Sequence, residues 1–138
     1  MKTFLHTYQK LNAHNLETLK NIYRDDVQFI DPAHEVNGIA NLTEYFASLY
    51  KNIDSIYFSF NEPVVVENYG YVSWKMTFSH KSLAGGKPIT IDGMTHLKFD
   101  EHNKVYYHRD YFDLGAMLYE HVPLLGRIIT WIKKGLGK

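Results

Sequence analysis

Apolar residues first recur at helical spacing. Phe4, Leu5, Tyr8 and Leu11 fall on one side of a helix. Leu16, Leu19, Ile22 and Tyr23 predict a second helix behind Asn15, a residue type suited to capping a first turn. Val27-Gln-Phe-Ile30 reads as a short strand, which Asp31-Pro32 ends because proline has no N–H to offer a ladder. Asn37-Gly38 reads as a turn. From Ile39 to about Asn52 the helical period returns, with Leu42, Tyr45, Phe46, Leu49 and Tyr50 inward.

The period then drops to two. Ser55 to Val66 alternates and closes on three valines. Tyr71 to Lys81 puts Val72, Trp74, Met76 and Phe78 on one face, with His80 following on that side, and Ser73, Lys75, Thr77 and Ser79 on the other. Ile89 to Phe99 and Val105 to Asp113 are two further strands around the turn Asp100-Glu-His-Asn-Lys104. Leu114 to His121 and Pro123 to about Leu136 are helical. Helices followed by hairpin-connected strands predict an α+β domain. We expect a cone-shaped, curved antiparallel sheet, with N-terminal helices over its concave face, an added C-terminal helix, and one end open as a pocket. No repeat or composition shift divides the chain, so 1–138 is read as one domain and 123–138 as its C-terminal amphipathic helix.

Composition narrows the chemistry. The 138 residues can bury a core without staples. Cysteine is absent, which removes disulfides and thiol nucleophiles. Fifteen basic residues balance fifteen acidic ones, so the basic footprint of a nucleic-acid binder is missing. There is no apolar run fit for a signal peptide or a membrane span, and the expectation is a soluble, cytoplasmic protein. Neither HExxH nor His-x-His occurs, and Gly85-Gly86 is a hairpin turn rather than a phosphate loop. No metal and no cofactor are expected.

The stretch Val105-Tyr-Tyr-His-Arg-Asp-Tyr-Phe-Asp113 carries the candidate chemistry. Strict alternation places Tyr106, His108, Asp110 and Phe112 on one face and Val105, Tyr107, Arg109, Tyr111 and Asp113 on the other. A histidine and an aspartate among inward aromatics suit acid/base work, because burial and a neighbouring charge both move a carboxyl pKa. Asp110 is read as the acid/base group and His108 as its partner; a structural His–Asp bond inside the domain fits the same pattern. Asp31 fits a second carboxylate at the pocket mouth and equally a strand-end aspartate capping the turn before Pro32. Tyr23, Trp74, Met76, Phe78, His80 and Phe112 are read as lining the cavity around a small, largely apolar organic molecule. Asp92 and His96 fall on the outer sheet face and are assigned to packing.

Four stretches resemble the nuclear transport factor two-like superfamily, in its branch of SnoaL-like polyketide cyclases and ketosteroid isomerases. They are Asn15 through Pro32; Gly38 with the helix reaching Tyr45-Phe46; Leu97 through Val105; and His108-Arg-Asp-Tyr-Phe-Asp113. Their order and spacing cover roughly residues 4 to 121. The resemblance implies the cone fold and a homodimer through the outer sheet face. It sets Asp31 where steroid isomerases keep a general base, Tyr23 at a supporting tyrosine, Thr95 at their protonated acid, and Tyr8 one place from the oxyanion tyrosine. Asp110 falls near the acid/base aspartate of SnoaL-like cyclases. The implied activity is cofactor-free isomerase or cyclase chemistry; a non-catalytic ligand binder or accessory protein is the alternative.

The tail stands apart. Leu124, Leu125, Ile128, Ile129, Ile132 and Leu136 form an apolar stripe beside Arg127, Lys133, Lys134 and Lys138. The preferred expectation is a helix packing over the pocket mouth or across a dimer, with cations at its favourable C-terminal end. A basic amphipathic helix on an anionic membrane is the competing reading.

Overall fold

The computed structural model describes residues 1–137; Lys138 lies outside them. Helix α1 (Lys2–Lys10) and a 3-10 turn over Leu16–Asn21 lead into strand β1 (Tyr23–Ile30) and the short β2 (Glu35–Asn37). Helix α2 (Ile39–Asn52) follows. Next come β3 (Ser55–Phe60), β4 (Val64–Val66), β5 (Tyr69–Ser79), β6 (Ile89–Phe99) and β7 (Val105–Phe112). Two short helices, α3 (Leu114–Met117) and α4 (Leu125–Leu136), end the described chain. The strands form one open sheet in the order β2-β1-β7-β6-β5-β3, with β4 paired to β5. The domain is α+β as expected.

The sheet is mixed rather than wholly antiparallel. Strand β1 runs parallel to β7, joining Phe29 to His108 and Ile30 to Arg109; β1 with β2 and every pairing among β3 to β7 are antiparallel. The expected second helix shrinks to the 3-10 turn, and Tyr23 opens β1 instead of closing a helical stripe. The Val105 N–H bonds to the Ile22 carbonyl at 2.8 Å, so the last strand captures the chain at that point. Asn15 does not cap a helix with its side chain; its Oδ1 accepts from the Asn12 N–H at 2.7 Å. The run from Ser55 to Val66 splits at Asn61-Glu-Pro63, where proline cannot donate to a ladder. Gly38, at φ +86°, turns β2 into α2 in a backbone region that other residues avoid.

Helices α1 and α2 cover one face. Phe4 and Tyr8 of α1 and Leu42 and Phe46 of α2 meet Val27, Phe29, Leu97, Phe99 and Val105. A second cluster joins Val72, Trp74, Met76, Phe78, Ile89 and Ile91 to Phe112 and α3. Leu5, Phe58 and Phe60 touch both clusters. Burial of each large side chain stabilises the fold by about 1.5–3 kcal/mol.

Strict alternation fails at one point of β7. Lys98 faces Tyr107 and Phe99 faces Val105, so Tyr106 is an extra residue, a β-bulge. Val105 and His108 therefore both point inward, three residues apart, while Tyr106 carries the Arg24 guanidinium 4.6 Å above its ring. The expected outward Val105 and inward Tyr106 are corrected by that bulge. Asp113, expected to end the strand, caps α3 by accepting from the Ala116 N–H at 3.1 Å.

Candidate functional site

The inner register of β5, β6 and β7 builds the site. Thr95 pairs with Asp110, Leu97 with His108 and Gly93 with Phe112, all on the helix-covered face. Gly93 lies opposite Trp74, and a Cβ at Gly93 would collide with the indole ring. The missing side chain lets Trp74 lie across the strand and reach Thr95.

A polar chain runs through this apolar layer. The Trp74 Nε1–H donates to Thr95 Oγ1 at 2.8 Å, and the Thr95 hydroxyl donates to Asp110 Oδ1 at 2.6 Å. His108 Nε2 lies 2.7 Å from the same Oδ1, and His108 Nδ1 lies 2.6 Å from the Tyr23 hydroxyl. When the carboxylate only accepts, His108 Nε2–H is the donor to Oδ1. Burial first, then the Asp110 charge, pushes the Tyr23 phenol well above its ordinary pKa. Tyr23 therefore stays protonated and can donate to His108 Nδ1. Both ring nitrogens of His108 are partnered in that arrangement. His108 is packed by Phe4, Tyr8, Tyr23 and Phe29, with Phe29 centred 4.6 Å from its ring.

The two oxygens of Asp110 differ. Oδ1 takes both protein donors; Oδ2 has no hydrogen-bond partner among the described residues. The side chain is only 13% exposed, yet Oδ2 is not among the sealed, unpartnered polar atoms. It is therefore not completely covered by protein. The Tyr8 hydroxyl is likewise unpartnered among the described residues without being sealed. Burial chiefly, followed by Tyr23 and Asp110, holds the Tyr8 phenol well above its ordinary pKa. One oxygen of a held carboxylate and one neutral phenol are thus unpartnered polar atoms at this aromatic layer among the described residues.

Of the sequence-derived residues, Asp110, His108, Tyr23 and Trp74 fall on one hydrogen-bonded chain. Phe112 lies tilted against Trp74, ring centres 6.1 Å apart, and Met76 and Phe78 lie in the adjoining core. Asp31 belongs to another cluster: its Oδ1 accepts from the Ala33 and His34 N–H groups at 2.8 and 2.7 Å, and its Oδ2 from the Tyr45 hydroxyl. His80 lies beyond β5, its Nδ1 accepting from the Ser82 N–H at 3.0 Å. Thr95 was not singled out as a contact; a threonine in register with Ile89, Ile91, Leu97 and Phe99 is the signal that would have found it.

On the outer face His96 stacks on Tyr71 at 4.7 Å, and Lys75 pairs with Asp92 at 2.7 Å. Loss of water, then nearby Lys98, lowers the His96 pKa. Two open clefts, of about 370 and 360 Å³, lie along the C-terminal segment against Glu120, Gly126 and Arg127 rather than at Asp110. No helix among the described residues is long and apolar enough to cross a membrane.

A family model described as a SnoaL-like domain matches residues 4–108. No curated protein sequence matches the chain. Among solved structures, a protein named as a SnoaL-like polyketide cyclase from Jannaschia sp. CCS1 aligns with TM-score 0.77 at 14% identity, covering 88% of this chain and 90% of that one. A protein with a ketosteroid isomerase-like fold from Catenulispora acidiphila, in complex with trimethylamine, aligns with TM-score 0.73 at 14% identity, covering 85% and 88%. TerC co-crystallised with polyporic acid gives TM-score 0.72 at 16% identity, covering 84% and 92%. At these identities the likeness shows the fold.

Proposed function

The chain belongs to the SnoaL-like domain family, and on that premise we propose that it binds a small, largely apolar organic molecule beside Asp110 and moves a proton on it without a cofactor. The reaction is of the cyclase or isomerase kind. Asp110 Oδ2 takes a proton from an acidic C–H next to a carbonyl, and the same carboxyl returns it at another carbon. His108 and Thr95 hold Oδ1, so the carboxylate keeps one orientation through the cycle. The neutral Tyr8 hydroxyl is the donor available to a developing enolate oxygen. Asp31, tied into its own turn, supports that turn rather than the transfer.

The observation that carries this reading is the asymmetry of Asp110: one oxygen anchored twice, the other unpartnered among the described residues and not fully covered. Polyporic acid beside TerC supports an organic ligand class for this fold. The outer sheet face, with exposed Tyr69, Met94 and Tyr111, is proposed as the homodimer surface.

Deuterium uptake tests the chemistry. Aryl ketones and 1,3-dicarbonyl compounds are incubated with the protein in D₂O and followed by proton NMR. The native chain should accelerate exchange of the acidic C–H. Asp110→Asn should lose about 10²–10⁴-fold of that rate while still binding the same compounds. Equal rates in the two proteins would overturn the proposal. Binding without any exchange in either would favour the carrier reading, which the aromatic filling around His108 supports.

A further inference from the structure

Helix α4 is mounted the wrong way round for a helix that completes a core. An amphipathic helix ordinarily buries its apolar stripe. Here the buried position is Gly126, seated against the Glu120 backbone so closely that a Cβ would collide with the carbonyl. Lys133, on the same side, pairs with Asp113 and with Glu120 at 2.8 Å. Leu124, Leu125, Ile128, Trp131, Ile132 and Leu136 are all exposed, Trp131 by 75%.

The orientation is imposed at a hinge. Leu124 adopts φ +68° and ψ −57°, and the Leu125 N–H bonds to the Pro123 carbonyl at 2.8 Å, a strained γ-turn for an L-residue. Chain direction, the Gly126 seat and the Lys133 clamp together hold the apolar stripe outward.

Charge says what the stripe faces. Residues 123–138 hold four cations and no acid, whereas the preceding 122 residues hold eleven basic and fifteen acidic side chains. On the helix, Arg127 and Lys134 are exposed along the edge next to Trp131. We infer that α4 lies on an anionic membrane surface, with Ile128, Trp131, Ile132 and Leu136 in the interfacial layer and Arg127 and Lys134 at the headgroups. Tryptophan favours that layer, and a stripe with a basic edge is the pattern of helices that lie in the interface plane. The acidic remainder of the domain is repelled by the same surface, which leaves α4 foremost. A second copy is the weaker occupant. A stripe roughly 18 Å long and about 10 Å wide offers far less than the about 800 Å² that each partner of a stable pair buries.

Co-sedimentation with vesicles of phosphatidylcholine, with and without about one third phosphatidylserine, tests this with the full chain. The native chain should pellet with the anionic vesicles and be released by added salt. Ile128→Ser with Trp131→Ser should reduce binding at least tenfold. Arg127→Ala with Lys134→Ala should cost about 25-fold on anionic vesicles, at about fivefold per cation, and little on neutral ones. Both double variants should melt like the native chain, because the changed side chains are exposed. Failure of the native chain to bind overturns the inference, and so does binding that neither double variant weakens. A native dimer that Ile128→Ser with Trp131→Ser makes monomeric, and that ignores vesicles, overturns it in favour of a second copy.

Discussion

Trp74 and Trp131 each sit among aliphatic residues with a lysine one or two positions on. Trp74 is 4% exposed, lies over Gly93 and gives its N–H to Thr95. Trp131 is 75% exposed, on a helix fastened through its glycine and lysine side. Burial of an apolar face is decided by the element that meets it. Strand β5 has β6 beside it and α3 against its inner face, whereas α4 follows a strained hinge that points its stripe away. The inner sheet therefore converts hydrophobicity into stability, whereas α4 leaves its stripe exposed.

Substitutions should expose that difference. The largest effect is expected for Leu97→Ala, beneath α1 and α2, at about 2–5 kcal/mol by urea unfolding, against about 0.5 kcal/mol or less for Ile128→Ala. Comparable losses at both sites would break the contrast. Gly93→Ala should cost about 1–3 kcal/mol through overpacking and shift the emission of Trp74, while Gly135→Ala on α4 meets open space, should cost no stability and should leave the Trp74 emission unchanged. Thr95→Val should cost on the order of 1 kcal/mol, because it strands the Trp74 N–H and removes a donor from Asp110. The smallest effect concerns the clamp on α4. Hydrogen bonding from Lys133 chiefly, and from the Ala116 N–H, lowers the Asp113 pKa below the ordinary 3.8. Its contribution is present above that ordinary value and is lost as pH falls through the lowered one. Trp131 should therefore become more mobile in acid, below about pH 4, with the sheet intact; fluorescence anisotropy reads the change. A sheet that loosens first would reverse the comparison.

Much of this was legible in the chain. The bounds of α2 and β6 follow from period and turn chemistry, because Gly38 and the Lys87-Pro88 and Asp100–Lys104 turns punctuate them. Asp110 and His108 share a face as alternation requires. Alternation misplaced Val105 and Tyr106, because a bulge changes parity without leaving a mark in composition. The expected second helix runs too far because Ile22 and Tyr23 satisfy a helical stripe and a strand start equally. The parallel β1–β7 pairing joins Tyr23 to Val105 and Phe29 to His108, far apart in the chain, and has no local signature. For α4, periodicity shows a stripe but not which way the stripe is turned.

The Tyr23–His108 contact spans most of the polypeptide, and it closes only when the first strand docks beside the last. Such distant closure is slow relative to hairpin zipping. A nascent chain can assemble β3 through β6 while Asp110 is still unmade, and the Tyr23–His108–Asp110 chain of hydrogen bonds arrives as a final act of folding. A pulse-labelled refolding series should accordingly find the hairpins protected before the phenol of Tyr23 is.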